Sequence, residues 1–259
     1  MTSFSSMFKV DLKNKFRNMN FVLMIDVIAI VVAIIWNAIQ GNLSKQSYLA
    51  IAFSFSIIVY FVSFVILAYI QEKSYTRDSY RLIPINDTKF YLANLASTLV
   101  AYLYVIVAQL VLYAIAFAIN AEEFNDYLQM ISMMNGRASF DAPSAMLGSL
   151  AFVASVLGAI IFNWATITLI HLVTRSASNF LPSTGRRFLN IVLYIIVIWL
   201  VIEVTSSLTN NLSSSVSSLF SVTYASGFLL KLLIYLVIAA VESAISIFLM
   251  SRWVETITE

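Results

Sequence analysis

Three carboxylates stand inside apolar runs of this chain: Asp26, Glu203 and Glu242. An ionisable side chain at membrane depth costs several kcal/mol, and such residues mark ion, proton or substrate contacts. Glu242 falls near the middle of its run and has no basic residue close in sequence. It is either a substrate contact or proton site, or a protonated carboxyl hydrogen-bonded to a neighbouring helix. Glu203 lies near the outer end of its run, beside a Ser/Thr-rich stretch. Asp26 sits about one turn into its run, from where it can snorkel to the interface. Gln109 and Asn163 read as hydrogen-bonding glue between helices.

Other chemistry finds little support. The chain has no cysteine and one histidine, His171, placed at the inner end of its run and read as structural. Thiolate sites and multi-histidine metal centres are thereby excluded. The phosphate loop G-x-x-x-x-G-K-[ST], H-E-x-x-H and G-x-S-x-G are all missing. The paired acids Glu122 and Glu123 lie far from His171, on the opposite side of the membrane. The chain is therefore expected to have no catalytic residue, no metal and no cofactor of its own.

The elements that carry these residues follow from composition. The 259 residues are 61% hydrophobic and 11% charged, against about 45–50% and about 25% in soluble domains. Mean hydropathy is +0.89. So few charges cannot cover the surface of a water-soluble fold of this size. A bilayer core of about 30 Å needs about 20 apolar helical residues. Six runs qualify, at about 21–40, 48–70, 90–119, 147–173, 188–205 and 228–253. They are continuous rather than alternating, so helices are expected and not barrel strands. The first run is too long for a secretory signal core and no small-residue cleavage site follows it. The fold class is thus all-α, a single six-span transmembrane domain over 20–259.

Charge orients the spans. With the N-terminus inside, the inner segments hold Lys9, Lys13, Lys15 and Arg17; Lys73, Arg77, Arg81 and Lys89; Arg175, Arg186 and Arg187; and Arg252. Of 15 basic residues only Lys45, Arg137 and Lys231 fall elsewhere. The positive-inside rule places both termini in the cytoplasm; the membrane is expected to be the plasma membrane. The outer segment Ala121–Met146 carries Glu122, Glu123, Asp126 and Asp141 against Arg137, an ordinary outer composition.

Residues 1–19 precede the first span. Phe4, Met7, Phe8, Leu12 and Phe16 recur at helical spacing, and Lys9, Lys13 and Arg17 form a basic stripe. This predicts an amphipathic helix on the inner membrane surface. The segment Gln71–Lys89, QEKSYTRDSYRLIPINDTK, is polar, broken by Pro84, and long enough for a short helix. Asn86 or Asp87 can cap the helix that follows. The stretch Thr205–Gly227 is uncharged and rich in Ser, Thr and Asn; it is either a loop or short helices dipping into the outer leaflet. Ala154 with Gly158, and Ala240 with Ala244, are four apart, a spacing that lets helices pack closely.

This layout resembles the membrane subunit of type-2 ATP-binding-cassette exporters. The resemblance rests on the N-terminal amphipathic helix, six spans with both ends inside, and the stretch Arg77-Asp78-Ser79-Tyr80-Arg81-Leu82-Ile83-Pro84-Ile85, similar to the family's R-x-L-P stretch. It also rests on the polar segment between spans five and six, where the family has re-entrant helices. In style it is similar to permeases of Gram-positive peptide or antimicrobial export and immunity systems. The resemblance implies a cytoplasmic coupling helix between spans two and three. There Arg77, Asp78, Tyr80, Arg81, Leu82, Pro84 and Asp87 would meet a separate ATPase subunit that binds ATP and Mg. It also implies pairing with a second membrane subunit, and export of an amphipathic or hydrophobic substrate such as a peptide, drug or lipid-like molecule. Two alternatives stand beside it: an ion-coupled secondary carrier using Glu242 and Glu203, and a non-transporting immunity or regulatory subunit.

Overall fold

The computed structural model describes residues 3–42, 45–76, 83–119, 142–178, 186–219 and 224–252. All of their regular structure is helical: α1 (Phe4–Ile39), α2 (Lys45–Thr76), α3 (Asp87–Ile119), α4 (Ala142–Ser178), α5 (Arg186–Leu219) and α6 (Tyr224–Arg252). All six are long and apolar enough to cross a membrane. Large apolar side chains point outward on every one, among them Trp36, Ile57, Val107, Phe152, Trp199 and Val237. A water-exposed surface of this kind would be an aggregation liability, whereas lipid is its natural solvent. The chain is a multi-pass membrane protein.

The helices exceed the bilayer. The 36 residues of α1 reach about 54 Å at 1.5 Å per residue, against a hydrocarbon core of about 30 Å. Ser3 caps this helix by accepting a bond from the Ser6 N–H at 3.2 Å. No break separates residues 4–19 from the first span, so the two expected segments form one rod. The predicted basic stripe is there, with Lys9, Lys13 and Arg17 exposed. The apolar stripe is rearranged. The buried line is Met7, Asp11, Lys15, Met19, Val22 and Asp26, and Phe4 is exposed.

Likewise α5 runs unbroken through the polar stretch to Leu219, so residues 205–219 continue the span as helix. They form neither the loop nor the separate short helices expected from composition. A helix that is already nucleated gains one bond per added residue, which offsets the mediocre propensities of Ser, Thr and Asn. At the inner segment, α2 continues to Thr76. Asn86 caps α3: its Oδ1 accepts from the Thr88 N–H at 2.9 Å. Pro84 is exposed and Asp87 opens the first turn of α3. Arg77, Asp78, Tyr80, Arg81 and Leu82 lie outside the described residues.

The chain divides into two compact units, one of residues 1–73 and 84–140, the other of 74–83 and 141–259. In the first, α1 and α3 run parallel. Phe16 lies 5.0 Å from the Tyr104 ring, and further along both helices Gln109 meets Asp26. α2 runs against α3, with Phe53 stacked on Tyr113, Tyr60 near Tyr102 and Gln71 joined to Asn94. In the second unit, α4 and α6 run parallel through Phe152–Phe228 and Phe162–Tyr235. α5 runs against α4, with His171 on Tyr194. Leu169, Val197 and Val201 form the core, with Ile170, Val173, Leu193 and Leu249 packed on it. Parallel first and third helices with an opposed second are what consecutive membrane crossings produce in each unit.

Gly158 brings α4 close to α6, since a Cβ there would lie 2.5 Å from Leu232 Cδ1. The other small-residue pair behaves differently: Ala240 and Ala244 are exposed. Gly158→Ile is expected to lower stability in detergent by about 1–3 kcal/mol through overpacking. Leu232→Ala in the same chain should recover most of that loss, and Ala240→Ile should leave the unfolding midpoint where it is. Equal losses for Gly158→Ile and Ala240→Ile would refute this packing.

Candidate functional site

Each unit buries a carboxylate against partners from a neighbouring helix. In the second unit, Glu242 is 4% exposed and about 15 Å along α6 from Arg252. The i, i+4 rows of α6 turn Ile234, Ile238, Glu242, Ser246 and Met250 to the interior. Thr166 Oγ1 of α4 lies 2.9 Å from Glu242 Oε2. Thr205 Oγ1 of α5 lies 3.2 Å from Glu242 Oε1. One carboxyl thus ties three helices together.

The protons of this network can be counted. The Thr166 hydroxyl also lies 3.0 Å from the Phe162 carbonyl one turn earlier. A hydroxyl donates once and accepts elsewhere. If Thr166 donates to Phe162, it can only accept from Glu242, which then carries the proton. If Glu242 is ionised, Thr166 must abandon its own backbone. The network therefore holds one more hydrogen bond with the carboxyl neutral than with it ionised.

A cavity of about 310 Å³ opens beside the network, lined by Thr166 and Thr205 themselves and by Phe162, Thr209, Asn210 and Tyr235. Its size matches the lower end of small-molecule sites. Phe162 and Tyr235 stack at 5.5 Å to form an aromatic wall. Asn163 also lines it, and its amide bonds its own helix at Ala159 O, 2.8 Å away. It is a cavity residue rather than the interhelical glue expected of it. Glu203 is not brought to this site. It lies on the exposed face of α5, two residues and about 200° from Thr205 on the helix. His171 Nδ1 meets the Tyr194 hydroxyl at 3.0 Å, a structural link between α4 and α5.

In the first unit, Asp26 does not snorkel. It is 3% exposed and accepts from Gln109 Nε2 at 2.7 Å, so Gln109 joins helices as expected. The feature that sequence reasoning missed is Lys15, 1% exposed. Its ammonium meets Asn94 Oδ1 at 2.5 Å, Ser97 Oγ at 2.7 Å, and both Asn94 O and Thr98 Oγ1 at 2.8 Å. The Ser97 and Thr98 hydroxyls donate to Asn94 O at 2.8 and 2.9 Å, which turns their lone pairs toward the cation. Asn94 Nδ2 donates to Gln71 O of α2 at 3.2 Å, so Asn94 holds all three helices. Asp11, one turn before Lys15 on the same face, is buried as well and adds a favourable charge. A signal existed: Met7, Asp11, Lys15 and Met19 are each four apart, which places both charges on one apolar stripe.

Among the described residues no group of three or more His, Cys, Asp or Glu side chains is placed to hold a metal ion. Asn94→Leu should strand the Lys15 ammonium and cost about 3 kcal/mol of stability. Lys15→Met added to Asn94→Leu should restore part of it, since an apolar pair leaves no buried charge unpaired. Lys9→Met and Lys13→Met, on the exposed face, should not move the unfolding midpoint in detergent. A Lys15→Met chain as stable as the wild type, with Asn94→Leu equally silent, would refute the cage. No family model, no curated protein and no solved structure matches this chain.

Proposed function

We propose that this chain is the membrane-spanning subunit of an ATP-driven exporter. Its substrate is amphipathic or hydrophobic, and a separate cytoplasmic ATPase subunit hydrolyses the ATP. The observation that carries a transport role is the cavity in the second unit, with one aromatic wall, one hydroxyl-rich wall and Glu242 behind the hydroxyls. An amphipathic molecule needs both kinds of wall. The cavity and the buried carboxylate lie on spans, where an ionisable side chain marks a functional contact.

The ATP-driven part is supported by the inner segment 71–89. α2 extends to Thr76, and α3 starts from a capped turn after Pro84. Long helices that outrun the bilayer are levers through which a docked ATPase moves the spans as rigid bodies. Arg77, Asp78, Tyr80, Arg81 and Leu82 would supply the docking contact in this proposal, with both termini cytoplasmic. A second membrane subunit completes the pathway.

The ion-coupled carrier remains as a second proposal because the Glu242 network makes its full set of hydrogen bonds only with a proton on the carboxyl. In that case proton release at Glu242 would drive movement, and no ATPase would be needed.

Purification from native membranes in mild detergent separates the two. A stoichiometric ATPase is expected to accompany the chain and to be lost from a chain carrying both Arg81→Glu and Leu82→Asp, while insertion is unchanged. Recovery of the active chain alone would overturn the exporter assignment. Under the exporter proposal Glu242→Gln leaves the pH profile of transport unchanged, because the amide keeps the bonds to Thr166 and Thr205. A flattened profile would instead establish the carrier.

A further inference from the structure

We propose that Asp26 and Gln109 form a proton-binding site inside the first unit, in which one proton closes a two-bond ring between carboxyl and carboxamide. This rests on the membrane assignment alone and is independent of the energy source.

The geometry is one donor short. Gln109 Nε2 donates to Asp26 Oδ2 at 2.7 Å. The other oxygen of each group, Asp26 Oδ1 and Gln109 Oε1, is buried and has no hydrogen-bond partner among the described residues. Asp26 is 3% exposed and Gln109 is 0% exposed. Each unpartnered oxygen shares a carbon with an atom already bonded across the interface. A small turn of either planar group therefore aligns the two oxygens. A proton on Oδ1 then donates to Oε1, while Nε2 keeps its bond to Oδ2. One added proton satisfies both stranded oxygens and removes a charge from the hydrocarbon.

Among the described residues of this unit no cation stands against Asp26. On α1 the nearest buried charges are Lys15 and Asp11, about 16 and 22 Å along the helix. Lys15 is held by its oxygen cage. The buried face of α3 carries no ionisable residue except Tyr91 and Tyr102. α2 contributes Tyr60, beside Tyr102, and Ser56 bonded to Tyr113. None of these is a cation. The balance is simple: a proton from water adds to the carboxylate, the O–H bond forms, and release reverses it.

The test is infrared difference spectroscopy on the full chain in lipid nanodiscs, with pH and exchange into heavy water as the probes. A carboxyl C=O stretching band is expected at neutral pH, shifted by heavy water and fading as pH rises. Asp26→Asn should remove it and Glu242→Gln should leave it. Gln109→Leu should move it to higher frequency, because the acid loses its acceptor. Asp26→Asn should also fold, since an amide pair forms the same two-bond ring without a proton. Its unfolding midpoint should be at least that of the wild type and less dependent on pH. Persistence of the whole band in Asp26→Asn overturns the proposal. So does a site that responds to sodium at fixed pH and not to protons, which would mean an alkali cation takes the position. A marked loss of stability in Asp26→Asn would also overturn it, because a carboxylate would then be the required form.

Discussion

Hydrocarbon offers no hydrogen bonds, so every polar group carried into it must find its partner inside the protein. In a bundle whose apolar side chains gain nothing by leaving lipid for each other, that demand decides which helix faces meet. Burial inside the protein makes the same demand, and the Lys15 ammonium, just before the first apolar run, is the sharpest case. Only one turn of α3, Asn94 to Thr98, presents four oxygens to it. Rotating α1 by one residue would swing the ammonium about 100° away from them. The cage therefore sets the phase of α1 on α3, and Asn94 carries the same constraint on to α2 through Gln71. Glu242 plays the corresponding part in the second unit, setting the phases of α4, α5 and α6 together.

Much of this architecture was legible in the sequence, for physical reasons. A run of about 20 apolar residues has few interpretations, and each of the six expected spans falls, to within one residue, on a described helix. Helix ends were less legible. Composition marks where a chain leaves lipid, not where its hydrogen-bond ladder stops, so α1 begins well before its apolar run and α5 ends well after its own. The Asn86 cap was readable because capping depends on a residue type at a fixed offset.

The site was half legible. Glu242 and Asp26 were marked by charge type and depth alone. Lys15 was not, because it stands among Lys9, Lys13 and Arg17 and looks like one more inner-surface cation. Counting charges along the chain ignores helical phase. Lys9, Lys13 and Arg17 share one side of α1, whereas Lys15 falls on the line of Met7, Met19 and Val22. Glu203 shows the opposite failure: charge type and depth made it a candidate with Glu242, but it lies on the exposed face of α5, two residues and nearly half a turn from Thr205. The partners of these groups, Thr166, Thr205, Ser97 and Thr98, are ordinary helix residues until the tertiary contact selects them.

The two units answer the same constraint with different chemistry, and the difference bears on function. The Lys15 cage is saturated: four oxygens meet one ammonium, and each hydroxyl proton is already used. A saturated site is rigid, and exchanging its charge would strand several partners together. The two carboxyls are different. Glu242 shares a threonine proton with a backbone carbonyl, and Asp26 faces an amide with one oxygen of each group unused. Each can gain or lose one proton at the cost of a single hydrogen bond. Glu242 stands behind the cavity-lining hydroxyls of Thr166 and Thr205. A ligand that engages those hydroxyls competes directly with the carboxyl for them. Under the ion-coupled proposal this competition would link occupancy of the cavity to the protonation of Glu242; under the exporter proposal the carboxyl acts only as the hydrogen-bonding partner of the two hydroxyls.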